Sequence, residues 1–185
     1  MGGQTGRATY KEKLHLWDEA SGKMTDFTTH FSFVIDSNGS TQYADGLAFF
    51  LAPVNSSIPT DGGGGALGLG NNDINQTTNS AAYQFVAVEF DTYPNHWDPT
   101  GSTVHTHVGI NINSMRSVTT AIWWNDVSLG KQNDAWITYN STSHNLSVVF
   151  TGFMNNQTQN GSLDHEVDLS DFLPELVIVG FSAAT

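Results

Sequence analysis

QFVAVEFDTY, residues 84–93, alternates with a period of two: Val86, Val88 and Phe90 share one side of an extended chain, and Glu89 and Asp91 share the other. A helix would spread these residues around its circumference, whereas a strand gives one apolar face and one carboxylate face. The two acids stand two positions apart, so their Cα atoms lie ~7 Å from one another on the same side. Two neighbouring carboxylates repel and lose hydration; the usual remedies are a raised pKa or a bound cation.

The same period extends in both directions. In DFTTHFSFVID (26–36), Phe27, Thr29, Phe31, Phe33 and Ile35 fall on one face and Thr28, His30, Ser32 and Asp36 on the other. LAFFLAP (47–53) is apolar on both faces, as expected of a strand lying between two layers. Val108, Ile110 and Ile112 mark another strand, ITYNSTSHNLSVVF (137–150) reads as two strands around a turn at Asn140–Asn145, and LVIVGFSA (176–183) returns to strand. SDFLPE (170–175) predicts one short helical turn with Ser170 as its N-cap. Many short strands, polar turns and no long helical pattern predict an all-β sandwich, read as a single domain over 1–185. Trp123, Trp124 and Trp136 fall in strand-like sequence and are assigned to packing. Gly62–Gly65 is the one low-complexity tract; no Lys-Ser/Thr pair follows, so it is not a phosphate loop.

Composition narrows the function. The 185 residues carry a net charge of −12 with only 6 Lys+Arg, which makes nucleic acid and anionic membranes poor partners. No apolar run is long enough to span a bilayer, so no membrane insertion is expected within this segment. There is no cysteine, which excludes disulfides and Cys-type zinc sites. Asn38, Asn55, Asn75, Asn140, Asn145, Asn156 and Asn160 each open an N-x-[ST] sequon, against roughly three expected by chance at this Ser+Thr content. That excess points to the secretory route and to a secreted or cell-surface protein.

The chemistry concentrates in VAVEFDTYPNHWDPTGSTVHTHVGI (86–110). Beyond Glu89 and Asp91 come Tyr93, Asn95 and Asp98 in a loop that can curl back, and His107 opens the next strand. Oxygen ligands suit calcium, and carboxylates with one imidazole suit manganese or a similar octahedral ion. An EF-hand is excluded, because Pro94 stands where that loop needs its glycine and the closing glutamate is missing. His96 and His105 read as exposed loop histidines. Nothing marks a nucleophile elbow.

This segment resembles the legume (L-type) lectin signature, whose core reads V-x-[VI]-E-[FL]-D-T-[FY]-x-N and later H-[IV]-G-I. ADGLAFFLAP (44–53) and GGALGLG (64–70) resemble two further blocks of that family in the same order, and the match runs from about Gly6 to Thr185. LWDEASGKMTDFTTHFSFVID, WITYNSTSHNLSVVF and LPELVIVGFSAAT look closest to the lectin ectodomains of plant receptor kinases. The resemblance implies a concanavalin-like antiparallel β-sandwich (jelly roll), shorter than the family at both ends, with open sheet edges and a possible homodimer.

It also implies roles. Glu89, Asp91, Asp98 and His107 would hold Mn2+; Asp91, Asn95, Asp98 and the Tyr93 carbonyl would hold Ca2+; Ser117 would bind a manganese-bound water. The partner would be a mono- or oligosaccharide. Asp45, joined to Ala44 by a cis peptide, would accept from two sugar hydroxyls. Gly65 would offer its N–H, Asn95 its side-chain amide, and the Tyr93 ring would pack on the pyranose. Two other readings remain open. In a sandwich-fold glycoside hydrolase, Glu89-x-Asp91 would begin a row of catalytic acids, although Tyr93 stands at the third position. A non-sugar-binding member would signal through protein contacts.

Overall fold

The computed structural model describes residues 3–70, 83–99 and 106–185. The period-two segments are strands. In chain order they are β1 (Thr5–Thr9), β2 (Leu14–His15), β3 (Trp17–Asp18), β4 (Lys23–Met24), β5 (Phe27–Val34), β6 (Gly46–Pro53), β7 (Val86–Asp91), β8 (His107–Ile112), β9 (Thr119–Ile122), β10 (Gln132–Asn140), β11 (Asn145–Met154), β12 (Gln157–Glu166) and β13 (Leu176–Ala184). One sheet has the order β1-β13-β6-β7-β8-β9, with β2 also on β13; a second runs β12-β11-β10-β5; β3 and β4 form a small separate pair. All of these pairings are antiparallel.

Alternation sorts the side chains into two cores. Phe49 and Leu51 of β6, Val86, Val88 and Phe90 of β7 and Val108 and Ile110 of β8 face the second sheet, where they meet Ile137 and Tyr139 of β10 and Val148 and Phe150 of β11. Phe90 is the hinge of an aromatic cluster, packing edge-on to Trp123 at 5.5 Å and tilted against Phe33 at 4.7 Å. The other face of β6 and β7 is buried as well. Ala48, Phe50, Ala52 and Ala87 lie under Ala66, Leu67, Leu69, Trp97 and Met115, all contributed by the connecting loops. LAFFLAP is therefore apolar on both sides because the larger sheet is roofed by its own loops.

Two local readings change. The turn near 170 is a 3-10 turn over Leu169–Asp171, and its N-cap is Asp168, whose carboxylate accepts from the Ser170 N–H at 3.0 Å and from its hydroxyl at 2.7 Å. Ser170 is thus the recipient of the cap; an ionised acceptor outcompetes a hydroxyl at a helix start. The tryptophans also divide. Trp123 is fully buried and donates its indole N–H to the Thr151 carbonyl at 3.1 Å, while Trp124 and Trp136 are each 40% exposed.

Candidate functional site

Strand register assembles the centre of the site. Asp91 of β7 pairs with His107 of β8, and Glu89 pairs with Gly109. Both acids sit on the roofed face, away from the aromatic core. One ligand atom each from Glu89, Asp91 and His107 lies within 4.8 Å of the others, and all three residues are buried. His107 Nε2 stands 3.2 Å from Glu89 Oε1. Ser117 donates its hydroxyl to the same oxygen at 2.5 Å. Gly109 makes this meeting possible: a Cβ there would stand 2.9 Å from Glu89 Oε1 and would overlap the Ser117 hydroxyl.

The electrostatics match a cation cage. Burial, and then the charge of Glu89, pushes Asp91 up to about 8. Burial by itself would push His107 down, but the Glu89 hydrogen bond and the surrounding acid charges outweigh it and raise His107 to about 9. Asp98 stands outside the trio yet feels the charges of His107 and Glu89, and burial raises its pKa. A group of three convergent donors, one of them, Asp91, held protonation-prone by burial and by the charge of Glu89, fits a divalent ion.

The loop after β7 fixes the remaining oxygens. The Tyr93 N–H donates to Asp91 Oδ1 at 2.6 Å and the Asn95 N–H to Asp98 Oδ2 at 2.5 Å. Asn95 Oδ1 is buried and has no hydrogen-bond partner among the described residues. An orphaned amide oxygen beside carboxylates is a position a hard cation satisfies.

Above this lies a shallow cup. The Ala44–Asp45 peptide is cis. Asp45 is buried, its N–H bonded to the Ala184 carbonyl at 3.0 Å and its own carbonyl accepting both the N–H and the hydroxyl of Thr92, at 2.9 and 3.0 Å. Burial raises the Asp45 carboxyl. A Cβ at Gly65 would come 2.6 Å from Asn95 Nδ2, and one at Gly64 would come 3.8 Å from Asp45 Oδ2. Asp45, the glycine loop and Asn95 therefore converge from three separate connections. Tyr93 is 47% exposed at the rim. The glycine loop is pinned by Arg7, whose Nε donates to the Gly68 carbonyl at 3.0 Å and whose guanidinium lies 4.8 Å from the centre of the Phe50 ring.

Sequence reasoning missed Gly109, Thr92 and Arg7. The H-V-G-I spacing contained the signal for Gly109, whereas Thr92 and Arg7 act through backbone contacts that leave no pattern. His96 is exposed and packs edge-on to Trp97, as expected of a loop histidine. His105 and Asn75 lie outside the described residues. Of the other sequon asparagines, Asn38, Asn55, Asn140, Asn156 and Asn160 are exposed and Asn145 is half-buried.

An antiparallel jelly-roll sandwich with a polar cup set over a buried acid–imidazole trio is the build of a concanavalin-like lectin domain. The chain belongs to the legume lectin domain family, matching it over residues 1–185. It is 43% identical to Lectin 6 of Medicago truncatula, over 97% of this chain and 64% of that protein, and 43% identical to the bark lectin of Styphnolobium japonicum, over 98% and 62%. The chain thus spans less than two thirds of the length of these relatives. Among solved structures, it superposes on the Lotus tetragonolobus seed lectin with a TM-score of 0.84 at 41% identity, covering 98% of this chain and 74% of that one. It superposes on lectin II of Ulex europaeus complexed with galactose with a TM-score of 0.78 at 37% identity, covering 98% and 73%. These relatives are lectins, and none of them favours the glycoside hydrolase reading. No helix among the described residues is long and apolar enough to cross a membrane.

Proposed function

We propose that the chain binds carbohydrate in the cup formed by Asp45, Gly65, Tyr93 and Asn95, with Ca2+ and Mn2+ ordering that cup from below. Glu89, Asp91, Asp98 and His107 hold the manganese, with Ser117 positioned on the Glu89 side of it. Asp91, Asn95, Asp98 and the Tyr93 carbonyl hold the calcium. The ions neutralise the buried acids and fix the loop that carries Tyr93 and Asn95. Asp45 then accepts from sugar hydroxyls, the Gly65 N–H and Asn95 amide donate, and the Tyr93 ring covers the apolar face of a pyranose. A sugar exchanges water hydrogen bonds for protein ones, so affinity depends on donors and acceptors that are already aimed.

The observation that carries this reading is the half-buried Asn95 side chain, set against Gly65, with its backbone N–H on the Asp98 carboxylate and its amide oxygen buried and unpaired among the described residues. Its carbonyl oxygen suits a cation and its NH2 suits a ligand oxygen. Lectin II and lectin I of Ulex europaeus have been solved with galactose and with the methyl glycoside of α-L-fucose respectively, which supports sugar as the ligand class here. The sequons support an extracellular location, either secreted or on a receptor kinase ectodomain.

Immobilised galactose, fucose and mannose test the function. With calcium and manganese present, the protein is retained on at least one of them and released by a chelator. Retention that survives complete removal of the ions refutes ion-ordered binding. Saturated ion sites with no retention on any glycan favour a protein-contact role.

A further inference from the structure

Away from the cup, His15, Asp18 and Glu175 each bring one ligand atom to within 4.8 Å of the others. Among the described residues only the buried trio of Glu89, Asp91 and His107 does the same. The length of β13 keeps the two groups apart. Leu176 at its start pairs with His15, and the carbonyl of Ala184 at its far end accepts from the Asp45 N–H, so the strand separates this cluster from the cup by roughly 25 Å.

The backbone around the cluster is fixed. The Leu16 N–H donates to the Glu175 carbonyl at 2.7 Å and the Trp17 indole N–H to the Leu173 carbonyl at 2.9 Å, with Leu16 and Leu173 buried in the core beneath. Each carboxylate is aimed through one of its oxygens. Asp18 Oδ1 accepts the N–H and the hydroxyl of Ser21 at 2.8 and 2.6 Å, and Glu175 Oε1 accepts the Glu19 N–H at 2.5 Å. The Ser21 bonds hold the Asp18 carboxyl below the usual carboxylate range, so it is ionised at neutral pH. The exposed His15 imidazole makes no hydrogen bond among the described residues, to either acid or to anything else. The three donors therefore meet around a gap and not on one another.

We propose that this cluster is a zinc site, independent of the sugar cup, in which the ion clips the β2–β3 segment to the start of β13. A tetrahedron with bonds of ~2.0–2.1 Å sets its donors ~3.3–3.4 Å apart, which small side-chain rotations reach from the present spacing. One imidazole with two carboxylates suits zinc, whereas calcium seeks about six to eight oxygens. Water takes the fourth position, entering by the adjoining hollow of ≈ 430 Å3 that Trp17, Glu19, Pro174, Glu175 and Leu176 line. Residues 15 and 18 are far from residue 175 in sequence, so the ion closes a long loop and stabilises the folded chain.

Calorimetry with zinc chloride tests it, on protein held in excess calcium and manganese so that the buried trio is filled, with the electron spin resonance of free manganese followed in parallel. One further equivalent of zinc binds with no manganese released, and at about 100 times its Kd it raises the Tm by about 5–11 °C. His15→Gln and Glu175→Gln each weaken this binding about tenfold or more and leave the zinc-free Tm near wild type. His30→Gln, beside Asp134 on the other sheet, leaves zinc binding unchanged. Absence of the further equivalent overturns the site, as does zinc that enters only by displacing manganese or that binds His15→Gln and Glu175→Gln as tightly as wild type. None of these outcomes depends on whether a sugar binds.

Discussion

Asn95 and Gly65 illustrate how little room the site leaves. With a Cβ at residue 65 standing 2.6 Å from Asn95 Nδ2, Gly65→Ala must push the amide out of place. Calorimetry should show sugar affinity lost, and because Gly65 is buried in the loop that roofs the larger sheet, the Tm should fall as well. Asp45→Asn removes a charge-assisted acceptor and should cost about 1.5–3 kcal/mol, or about 10–150-fold in affinity. Protonation gives a separate expectation. In the ion-free protein, Asp91 is raised to about 8 and His107 to about 9, so the fold holds protons that the unfolded chain releases earlier. For a raised pKa of either kind, stability is present at low pH and is lost as pH climbs through the folded value. In chelator, thermal melts should therefore show the Tm falling between about pH 4 and 9, from the ordinary Asp value up to the folded His107 value. Ions require the deprotonated groups, so the rise in Tm on adding calcium and manganese should grow over the same range. One ion at 100 times its Kd contributes about 2.7 kcal/mol, or about 5–11 °C for a domain of this size. An ion-induced shift that shrinks with rising pH would contradict the assignment.

At the level of strands and loops, β7 and β8 place every donor of the trio by register alone. Gly109→Ala puts a methyl group where the Ser117 hydroxyl meets Glu89, and should weaken manganese binding about 10-fold or more while calcium-dependent melting changes less. Titration with manganese, followed by its electron spin resonance signal, measures the first effect. The trio was readable from the chain because strand alternation and pairing bring Glu89, Asp91 and His107 together within one hairpin. The meeting of Asp45, Gly65 and Asn95 was not readable from spacing. These residues come from three loops, and only the β6-β7 neighbour relation and the loop roof bring them together; family resemblance supplied what periodicity lacked. Two adjacent tryptophans show the same limit. Alternation sends one side chain inward and the next outward, but the sequence does not say which neighbour the outward one meets, so Trp124 read as packing although it lines an open cleft with Tyr93.

Across the whole molecule the two sheets are unequal. β5 pairs only with β10 among the described residues, so its other edge offers unpaired backbone groups next to half-buried Phe27, Phe31 and Phe33. An apolar groove of ≈ 560 Å3 lies nearby, lined by Tyr10, Leu14, Phe49, Val179 and Phe181. Exposed edges of this kind recruit further strands. A protein of these 185 residues should therefore run larger than a monomer in light scattering, increasingly so with concentration, and Thr29→Lys on β5 should reduce the effect; a monodisperse monomer at all concentrations would refute this. The division of β7 into an aromatic side and an acid side has a further consequence, one for folding fidelity. Sliding this strand by one position against either neighbour would force Glu89 and Asp91 among the phenylalanines and turn Phe90 toward the roof. The carboxylates thus act as a proofreading device: mispaired hairpins are rejected by the cost of dehydrating charge, and ion chemistry and correct assembly are written in the same two residues.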